Sequence, residues 1–337
     1  MQRMLVRARM SEQRYGVDIY TKTYGRDRVF TALSDRYGDR YLRYRDAWRK
    51  AGPDWHPDFP LNIIFDLVDR CNQACPQCLR APDLIADYDG FLGTKRVLPY
   101  EVISGILDEC GASGLPSINF GGSGECTLHP DFIRICQKVM DIDVCEFRII
   151  TNGLRLKGDI AESLIDMQAH IVSVSIDAFS PETYAISRGN ASQYQPVVDN
   201  VIAFAERKRA RGAAWPLLRV SFVKQDGNAH EADQFADFWS KYADMVEIQS
   251  FSDYRMEEGF NTDFECLQPF QRMIVWAYGG AGPCCGFPGI VYNIGDYRQQ
   301  SISQIWHGEA MESMRQMMRT KNYEPACQQC MGTRVVV

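Results

Sequence analysis

The stretch Cys71-Asn-Gln-Ala-Cys75-Pro-Gln-Cys78 decides the fold, and it lies just after a run, Leu61–Asp66, that predicts a β-strand. Three thiolates on one short loop can hold three irons of a [4Fe–4S] cube, which leaves the fourth iron without a protein ligand. An open coordination position is typical of a catalytic metal site. Zinc is the alternative, but a structural zinc site has four ligands, and no histidine lies close by in the sequence. The stretch therefore predicts a catalytic iron–sulfur cluster.

Around this stretch, short β-rich runs alternate with helical patterns from residue 61 to about residue 250. Such alternation implies parallel strands with right-handed crossovers. Six units are too few for a closed eight-stranded barrel, so the predicted fold class is α/β, a partial (β/α)6 barrel that binds ligands at the C-terminal ends of its strands. The predicted strands are Leu61–Asp66, Ser117–Phe120, Glu146–Thr151, Ile171–Asp177, Leu218–Val223 and Val246–Phe251. The predicted helices are Tyr100–Glu109, Pro130–Met140, Ile160–Met167, Gln195–Arg211 and Ala229–Tyr242.

Beyond residue 250 glycine, proline and cysteine dominate, until Ile302–Met318 shows a helical pattern. Clustered cysteines in a long chain without a secretory signal more often bind metal than form disulfides. We therefore predict three parts: a basic helical extension (1–58), a partial barrel (59–250) and a small iron–sulfur domain (251–337). The C-terminal group contains Cys266, Cys284, Cys285, Cys327 and Cys330. The scattered cysteines, predicted to be mostly small core residues, are Cys110, Cys126, Cys136 and Cys145.

Charge and hydropathy narrow the functional classes. The net charge of −6 argues against a general nucleic-acid-binding protein. The uncharged stretch Met273–Tyr292 is long enough to span a membrane, but its five glycines and two prolines make it a poor lipid-exposed helix. We read it as loops and short strands around a metal site. With no apolar signal segment in the first residues, we expect a soluble, cytoplasmic protein.

The first 58 residues are basic, unlike the rest of the chain. Arginines interleaved with aromatic residues predict a basic amphipathic helix between Arg36 and Arg49. One interpretation is a solvated helix that packs through its aromatic face. The other is a platform for an anionic group, such as a phosphate or nucleotide.

The predicted strands end in polar and glycine-rich segments. After the second strand comes Phe120-Gly-Gly-Ser123-Gly124-Glu125-Cys126, where glycine allows the backbone close to a ligand and Glu125 can accept a hydrogen bond from an ammonium group. The third strand ends in Thr-Asn152-Gly, and the fourth reads Ser-Val-Ser175-Ile-Asp177, which puts Ser175 and Asp177 on one face. Arg188 follows in Ser-Arg-Gly and could form a bidentate pair with a carboxylate.

Together these segments resemble the radical S-adenosylmethionine (SAM) superfamily, from residue 61 to residue 330. The resemblance implies that the open iron is chelated by SAM and that SAM is cleaved to a 5′-deoxyadenosyl radical. It also implies that residues matching the family's SAM contacts bind this cofactor, namely Ser123, Gly124, Glu125, Asn152, Ser175, Asp177 and Arg188. The chain departs from the family pattern at Gln77, where the family has an aromatic residue, and at Ser123 and Cys126 in the glycine-rich segment.

The C-terminal cysteine spacing resembles the shortened SPASM domain called Twitch, in which four cysteines hold one auxiliary [4Fe–4S] cluster. The resemblance implies that the four ligands are Cys266, Cys284, Cys327 and Cys330, with Cys284 favoured over Cys285 by its spacing. A structural zinc held by four thiolates is the alternative. A fully ligated cluster is better suited to electron transfer than to binding substrate.

Several reactions are compatible with this resemblance. The spacing is similar to that of aminocyclitol dehydrogenases, so the first hypothesis is oxidation of a sugar, a cyclitol or a related small molecule, including one linked to a nucleotide. A flavodoxin or ferredoxin would be the electron donor. The second is epimerisation, in which the thiol of Cys285 or Cys126 returns a hydrogen atom to the substrate. The third is modification of a peptide. A metal-stabilised binding protein without catalysis is the alternative outside enzymology.

Overall fold

The computed structural model describes residues 20–78, 80, 95–257, 265–331 and 333–336. Residues 1–19 of the predicted extension lie outside this range. The strands are β1 (Tyr20–Tyr24), β2 (Asn62–Phe65), β3 (Ser117–Phe120), β4 (Glu146–Thr151), β5 (Ile171–Ser175), β6 (Leu217–Lys224), β7 (Met245–Glu257), β8 (Arg272–Val275), β9 (Gly280–Gly282), β10 (Gly295–Asp296) and β11 (Thr333–Val336). The helices are α1 (Arg26–Tyr37), α2 (Asp39–Lys50), α3 (Tyr100–Ala112), α4 (Phe132–Asp141), α5 (Gly158–Asp166), α6 (Pro181–Arg188), α7 (Tyr194–Ala210), α8 (Ala232–Trp239), α9 (Gln268–Gln271), α10 (Pro288–Val291), α11 (Ile302–Trp306), α12 (Glu309–Thr320) and α13 (Pro325–Met331).

The strands form one sheet in the order β1-β7-β6-β5-β4-β3-β2-β8-β9-β10, and β11 pairs with β7. Strands β2 to β7 run parallel in sequential order, with helices in the connections between them. This confirms the predicted partial (β/α)6 barrel. Strand β8 is one of the short strands expected in this region, but its parallel pairing with β2 was not predicted from the sequence. Since β7 continues to Glu257, the sheet crosses the boundary predicted at residue 250.

The register separates two faces of this sheet. On one face, phenylalanines pack against the helices, as when Phe120 contacts Phe132 of α4 and Phe222 contacts Phe235 of α8. Side chains alternate along a strand, and paired residues of neighbouring strands share a face, so Asn119 and its register partner Arg148 lie on the opposite face. That face, turned away from the helices, is the inner face of the barrel, and most of its residues are polar.

The basic N-terminal segment forms two helices, α1 and α2, rather than the single helix predicted. Gly38 separates them with a φ of 52°, a conformation that favours glycine. Tyr41 and Tyr44 are buried, and the Arg40 guanidinium lies 2.5 Å from a carboxylate oxygen of Asp143. The aromatic face therefore packs on the barrel and this arginine is used in that contact, which favours the first interpretation of this segment over an anion-binding platform.

The C-terminal region also differs from its prediction in one place. The pattern at Ile302–Met318 predicted one helix, but α11 and α12 are separate, with His307 and Gly308 between them. Ser301 and Gln304 form a capping box that begins α11. The uncharged stretch 273–292 contains parts of β8, β9 and α10, as expected for loops and short elements. Among the described residues, no helix is long and apolar enough to cross a membrane.

Glu109 ties the barrel to this C-terminal region. Its carboxylate oxygens each accept a hydrogen bond of 2.9 Å, from the backbone N–H groups of Ile302 and Ser303. Those groups belong to the first turn of α11, where N–H groups lack partners within the helix and a negative charge is favourable. The two bonds therefore fix α11 against α3.

We predict that Glu109→Ala lowers the free energy of unfolding by about 1–3 kcal/mol, because it removes the carboxylate from two N–H donors. Chemical denaturation monitored by circular dichroism measures this change. Glu101→Ala is the matched control, since Glu101 is exposed in the first turn of the same helix. Equal midpoints for the two variants would contradict the prediction.

Candidate functional site

The cysteine loop leaves the C-terminal end of β2 and is held by contacts from α6 and the turn after it. The Gln73 side-chain amide donates to the Tyr184 hydroxyl at 2.6 Å, and that of Gln193 donates to the Asn72 carbonyl at 3.2 Å. A Cβ on Gly189 would lie 2.4 Å from the Ala74 carbonyl oxygen. The sequence reasoning missed Tyr184 and Gln193, because nothing in the local sequence indicates which distant loop a helix contacts.

The thiols of Cys71, Cys75 and Cys78 lie near one another. The pKa of Cys71 is raised to about 11, mainly by burial and in part by the nearby Glu125, Cys75 and Cys78. Burial also raises the pKa of Cys75. The Arg188 guanidinium, 3.9 Å from the Cys75 sulfur, opposes this rise because its positive charge favours the thiolate. Among the described residues, no three His, Cys, Asp or Glu side chains form a group that could hold a single metal ion. Three half-buried thiols on one loop are the donor set that a [4Fe–4S] cluster with one open iron uses.

The glycine-rich segment lies against the backbone that leads into the cysteine loop. A Cβ on Gly124 would lie 1.8 Å from the Val68 carbonyl oxygen, so this position accommodates no other residue without displacement. The neighbouring Glu125 N–H donates to the Arg70 carbonyl at 3.0 Å. Main chain therefore meets main chain here, and the two loops hold each other in place.

Glu125 is buried and its carboxylate joins β3 to the end of β4. One oxygen accepts bonds from the hydroxyls of Thr127 (2.6 Å) and Thr151 (2.7 Å), and the other accepts the Asn152 backbone N–H at 2.8 Å. A carboxylate has about four lone-pair positions, so the second oxygen retains room for a further donor. The carboxylate is thus fixed in orientation and still able to accept a hydrogen bond from an ammonium group.

Asn152 connects this carboxylate to the cysteine loop. Its side-chain amide donates to Asn72 at 2.7 Å and lies 3.9 Å from the Cys71 sulfur. Its side-chain oxygen accepts the Leu154 N–H at 3.0 Å. The structure therefore brings Ser123, Gly124, Glu125 and Asn152 together beside Cys71.

Asp177 and Arg188 form an ion pair that the sequence reasoning did not foresee, because it assigned both side chains to the cofactor. They lie 2.5 Å apart and both are largely buried. Burial raises the pKa of Asp177, and the Arg188 charge opposes this. The other Asp177 oxygen accepts the Val223 N–H at 2.9 Å, so this carboxylate anchors Arg188 near Cys75. Arg188 Nε is buried without a partner among the described residues and remains a donor for a ligand.

Ser175 lies at the C-terminal end of β5, on the inner face of the barrel. Its hydroxyl is 3.5 Å from that of Ser221, its register partner on β6. Below them lie ion pairs on the same face, between Arg219 and Glu247 and between Arg148 and Glu146. The inner face is therefore polar, and the charges of these four residues are paired.

A further carboxylate at this end of the barrel was missed by the sequence reasoning. Asp66 directly follows β2 and is buried. It accepts hydrogen bonds from the backbone N–H groups of Ser123 (2.8 Å) and Gly124 (3.1 Å). Its position as the last residue of the predicted first strand, on the same face as Ile64, was the only available signal.

The C-terminal cysteines converge in the same way. Cys284 is buried and its thiol interacts electrostatically with Cys285, Cys266 and Cys330, while burial is the main cause that raises its pKa. The Cys327 thiol lies near Cys266, whose negative charge helps to raise its pKa. Cys285 is exposed beside this group.

Cys126 is buried, and its thiol donates to the Ile150 carbonyl at 3.3 Å. Burial raises its pKa far above the ordinary value for a thiol. Like Cys110, Cys136 and Cys145, which are all buried, it packs as a small core residue, so Cys285 is the better candidate for a hydrogen-atom donor.

Comparison with known proteins agrees with this geometry. Residues 66–211 match the Radical SAM superfamily, and residues 266–331 match the SPASM iron–sulfur cluster-binding domain. Mycofactocin maturase MftC of Mycobacterium tuberculosis is 27% identical over 57% of this chain and 44% of its own length. The chain spans about half the length of the curated relatives it matches.

Two solved structures share the fold. SuiB of Streptococcus suis bound to S-adenosylmethionine has a TM-score of 0.59 at 14% identity, covering 77% of this chain and 68% of SuiB. BtrN in complex with AdoMet and 2-DOIA has a TM-score of 0.51 at 16% identity, covering 81% of this chain and 93% of BtrN. The Radical SAM and SPASM domains of this chain imply [4Fe–4S] clusters and SAM as its cofactors, and SuiB was crystallised with S-adenosylmethionine. The chain belongs to the radical SAM superfamily, in the group that carries a SPASM or Twitch iron–sulfur domain.

Proposed function

We propose that this radical SAM enzyme oxidises a neutral, hydroxyl-rich small molecule, of the sugar or cyclitol class, by two electrons. Cys71, Cys75 and Cys78 would hold the [4Fe–4S] cluster, which with bound SAM would supply the radical chemistry that removes a hydrogen atom from the substrate. The substrate must then lose one proton and one electron to become a ketone. The observation that carries the proposal is the polar, charge-balanced inner face of the barrel.

Charge on that face argues for a neutral ligand. The strands β2 to β8 and the residue after β2 place three carboxylates and three guanidinium groups there, namely Asp66, Glu146, Glu247, Arg148, Arg219 and Arg272. Two of the arginines pair with the two glutamates, and Arg272 lies over the Trp48 ring at 4.6 Å. A phosphorylated substrate would find no surplus of positive charge, whereas hydroxyl groups can exchange hydrogen bonds with such a lining. We therefore favour a sugar or cyclitol over a nucleotide-linked substrate.

The second cysteine group supports oxidation over a redox-neutral outcome. Cys266, Cys284, Cys327 and Cys330 provide four thiols, enough to ligate a [4Fe–4S] cluster completely. A cluster held there offers an acceptor for the one electron that the oxidation releases. BtrN, whose structure contains 2-DOIA, overlaps 93% of its chain with this one, which is consistent with a small-molecule substrate.

Epimerisation is the alternative that the exposed Cys285 favours, since its thiol could return a hydrogen atom. Peptide modification is favoured by the likeness to SuiB, which is also known bound to the precursor peptide SuiA. Product analysis separates these outcomes. Oxidation yields a ketone two mass units lighter than the substrate, epimerisation yields an isomer of equal mass, and peptide modification requires a peptide. A flavodoxin or ferredoxin remains the proposed electron donor.

Replacing the two cysteine groups separately tests the proposal. We predict that a triple alanine variant of Cys71, Cys75 and Cys78 contains about four iron atoms per chain, whereas the parent protein contains about eight. This variant should form no 5′-deoxyadenosine. Changing Cys266, Cys284, Cys327 and Cys330 to alanine also halves the iron, but SAM cleavage persists and ketone formation is lost. The measurements are iron analysis and chromatography of anaerobic reactions with dithionite. Ketone formation by the second variant would contradict the proposal that a cluster at the second cysteine group accepts the electron.

Gly124 tests the assignment of the glycine-rich segment to SAM. We predict that Gly124→Ala weakens SAM binding by about tenfold or more, because its methyl group would meet the Val68 carbonyl oxygen and displace Glu125. Equilibrium binding of radiolabelled SAM to the reconstituted protein measures the change. Gly105→Ala is the matched control, since a Cβ on Gly105 meets nothing within 4 Å in helix α3. Unchanged SAM affinity in Gly124→Ala would refute the assignment.

A further inference from the structure

We propose that Asp66 is a positioning residue for SAM, whose ionised carboxylate holds the glycine-rich segment in the conformation that presents Glu125 to the SAM amino group. The inference rests on the assignment of that segment to SAM, and it adds a residue outside every segment matched to the cofactor by resemblance. It depends on hydrogen-bond geometry at the C-terminal edge of β2.

Asp66 contacts the segment three times. One carboxylate oxygen accepts the backbone N–H groups of Ser123 at 2.8 Å and Gly124 at 3.1 Å. The other accepts the Ser123 hydroxyl at 3.1 Å. These are the two residues directly before Glu125, so the carboxylate fixes the backbone from which the Glu125 side chain projects.

The space around the carboxylate leaves the segment little freedom. Gly122 has a φ of 128°, and a Cβ there would lie 2.8 Å from the Asp66 side chain. The Ser123 hydroxyl has a second partner besides Asp66. Arg80 forms an ion pair with the buried Asp69 and also donates to this hydroxyl at 3.3 Å. Arg80 lies two residues after Cys78, so the network joins the segment to the end of the cysteine loop.

Ionisation of the buried Asp66 carboxyl lowers the stability of the fold. A residue kept only for stability would not need this charge, so the cost points to a functional role. The pKa of Asp66 is raised to about 6, mainly by burial and in part by the nearby Asp69, while the bonds from Gly124 and Ser123 oppose this rise. The folded chain therefore holds the proton more tightly than the unfolded chain, whose carboxyl titrates near pH 3.9. Stability from this group is present in full below the unfolded pKa and is lost as the pH rises through about 6. Three donors to the ionised form are retained in spite of that cost.

The other titratable groups around Asp66 are Asp69, Tyr278 and Tyr297. Asp69 forms an ion pair with Arg80. Tyr278 and Tyr297 are close enough to interact electrostatically with the Asp66 carboxylate. Burial raises the pKa of each tyrosine, so both stay neutral. A change in SAM affinity near pH 6 that depends on residue 66 therefore reports the Asp66 carboxyl.

Two substitutions separate the acceptor from the charge. Asp66→Ala leaves two buried N–H groups without an acceptor, and we expect SAM affinity to fall by about tenfold or more. Asp66→Asn keeps one oxygen for those N–H groups but loses the charge. We expect it to weaken SAM binding severalfold at about pH 7.5 while the thermal midpoint stays equal to or above that of the parent protein.

The experiment measures the dissociation constant of radiolabelled SAM for the anaerobically reconstituted full chain between about pH 5.5 and about pH 7.5. In the parent protein the affinity should fall as the pH falls through about 6, and in Asp66→Asn this loss should be absent. Comparing the two proteins in the same buffers cancels the titration of SAM itself. Iron content must match between variants, so that a lost cluster is not read as lost binding.

Asn62→Leu is the control, because Asn62 lies on the same strand face at the opposite end of β2, where it donates to Ser117 at 2.8 Å. It should lower the thermal midpoint with unchanged SAM affinity. Parental SAM affinity in Asp66→Ala, or the parental pH profile in Asp66→Asn, would overturn the proposal. Glu125→Gln tests the underlying assignment separately: if it too leaves SAM affinity unchanged, the segment does not bind SAM at all.

Discussion

The site depends on a contact between two backbones, in which Gly124 passes the Val68 carbonyl so closely that no side chain fits. Through this contact the glycine-rich segment after β3 and the loop after β2 become one unit. Glu125 and Asn152 extend that unit to β4, and the Asn152 amide carries it to Cys71. Because the links are hydrogen bonds and steric limits, displacement of one loop would displace the others.

A second constraint acts on the cysteine loop from the side of α6. Gly189 lies so close to the Ala74 carbonyl that a residue with a Cβ would not fit there. The Tyr184 hydroxyl accepts a hydrogen bond from the Gln73 side chain. Glu231 in turn accepts the Phe179 N–H and the Ser180 hydroxyl at the start of α6, which fixes the helix that carries Arg188. The loop is thus held between two glycines that permit close backbone approach, one on each side.

The sequence predicted those parts of the site whose signal is local. The spacing of Cys71, Cys75 and Cys78, and the glycines before Glu125, are visible without a fold. The alternation of strands and helices was sufficient for the partial barrel, and its strand bounds differ by a few residues at most, apart from β7. Breaks at Gly38 and Gly308 divided two segments that amphipathic patterns had predicted as continuous helices.

What the sequence did not predict depends on contacts between distant segments. Asp66 meets Ser123 across 57 residues, and Arg188 meets Asp177 through the geometry of α6. Neither partner can be deduced from spacing, because any of several acidic residues at strand ends could have served. The place of β8 in the sheet was not predicted for a related reason: its four residues do not indicate that they pair with the edge of β2, more than 200 residues earlier in the chain.

Helix α2 covers the lower end of the barrel, which lies at the N-terminal ends of its strands. Helix α2 places Tyr44 and Trp48 there, and Trp48 lies beneath the Arg272 guanidinium at the start of β8. Tyr44 is buried there, and the half-buried Trp48 ring contacts the Arg272 guanidinium, whereas the upper edge ends in glycine-rich turns and the half-buried cysteine loop. A ligand that entered from the C-terminal ends of the strands would meet the cysteine loop and Glu125 before the paired charges below. This order suits the proposed reaction, in which a polar substrate would lie deeper in the barrel than SAM.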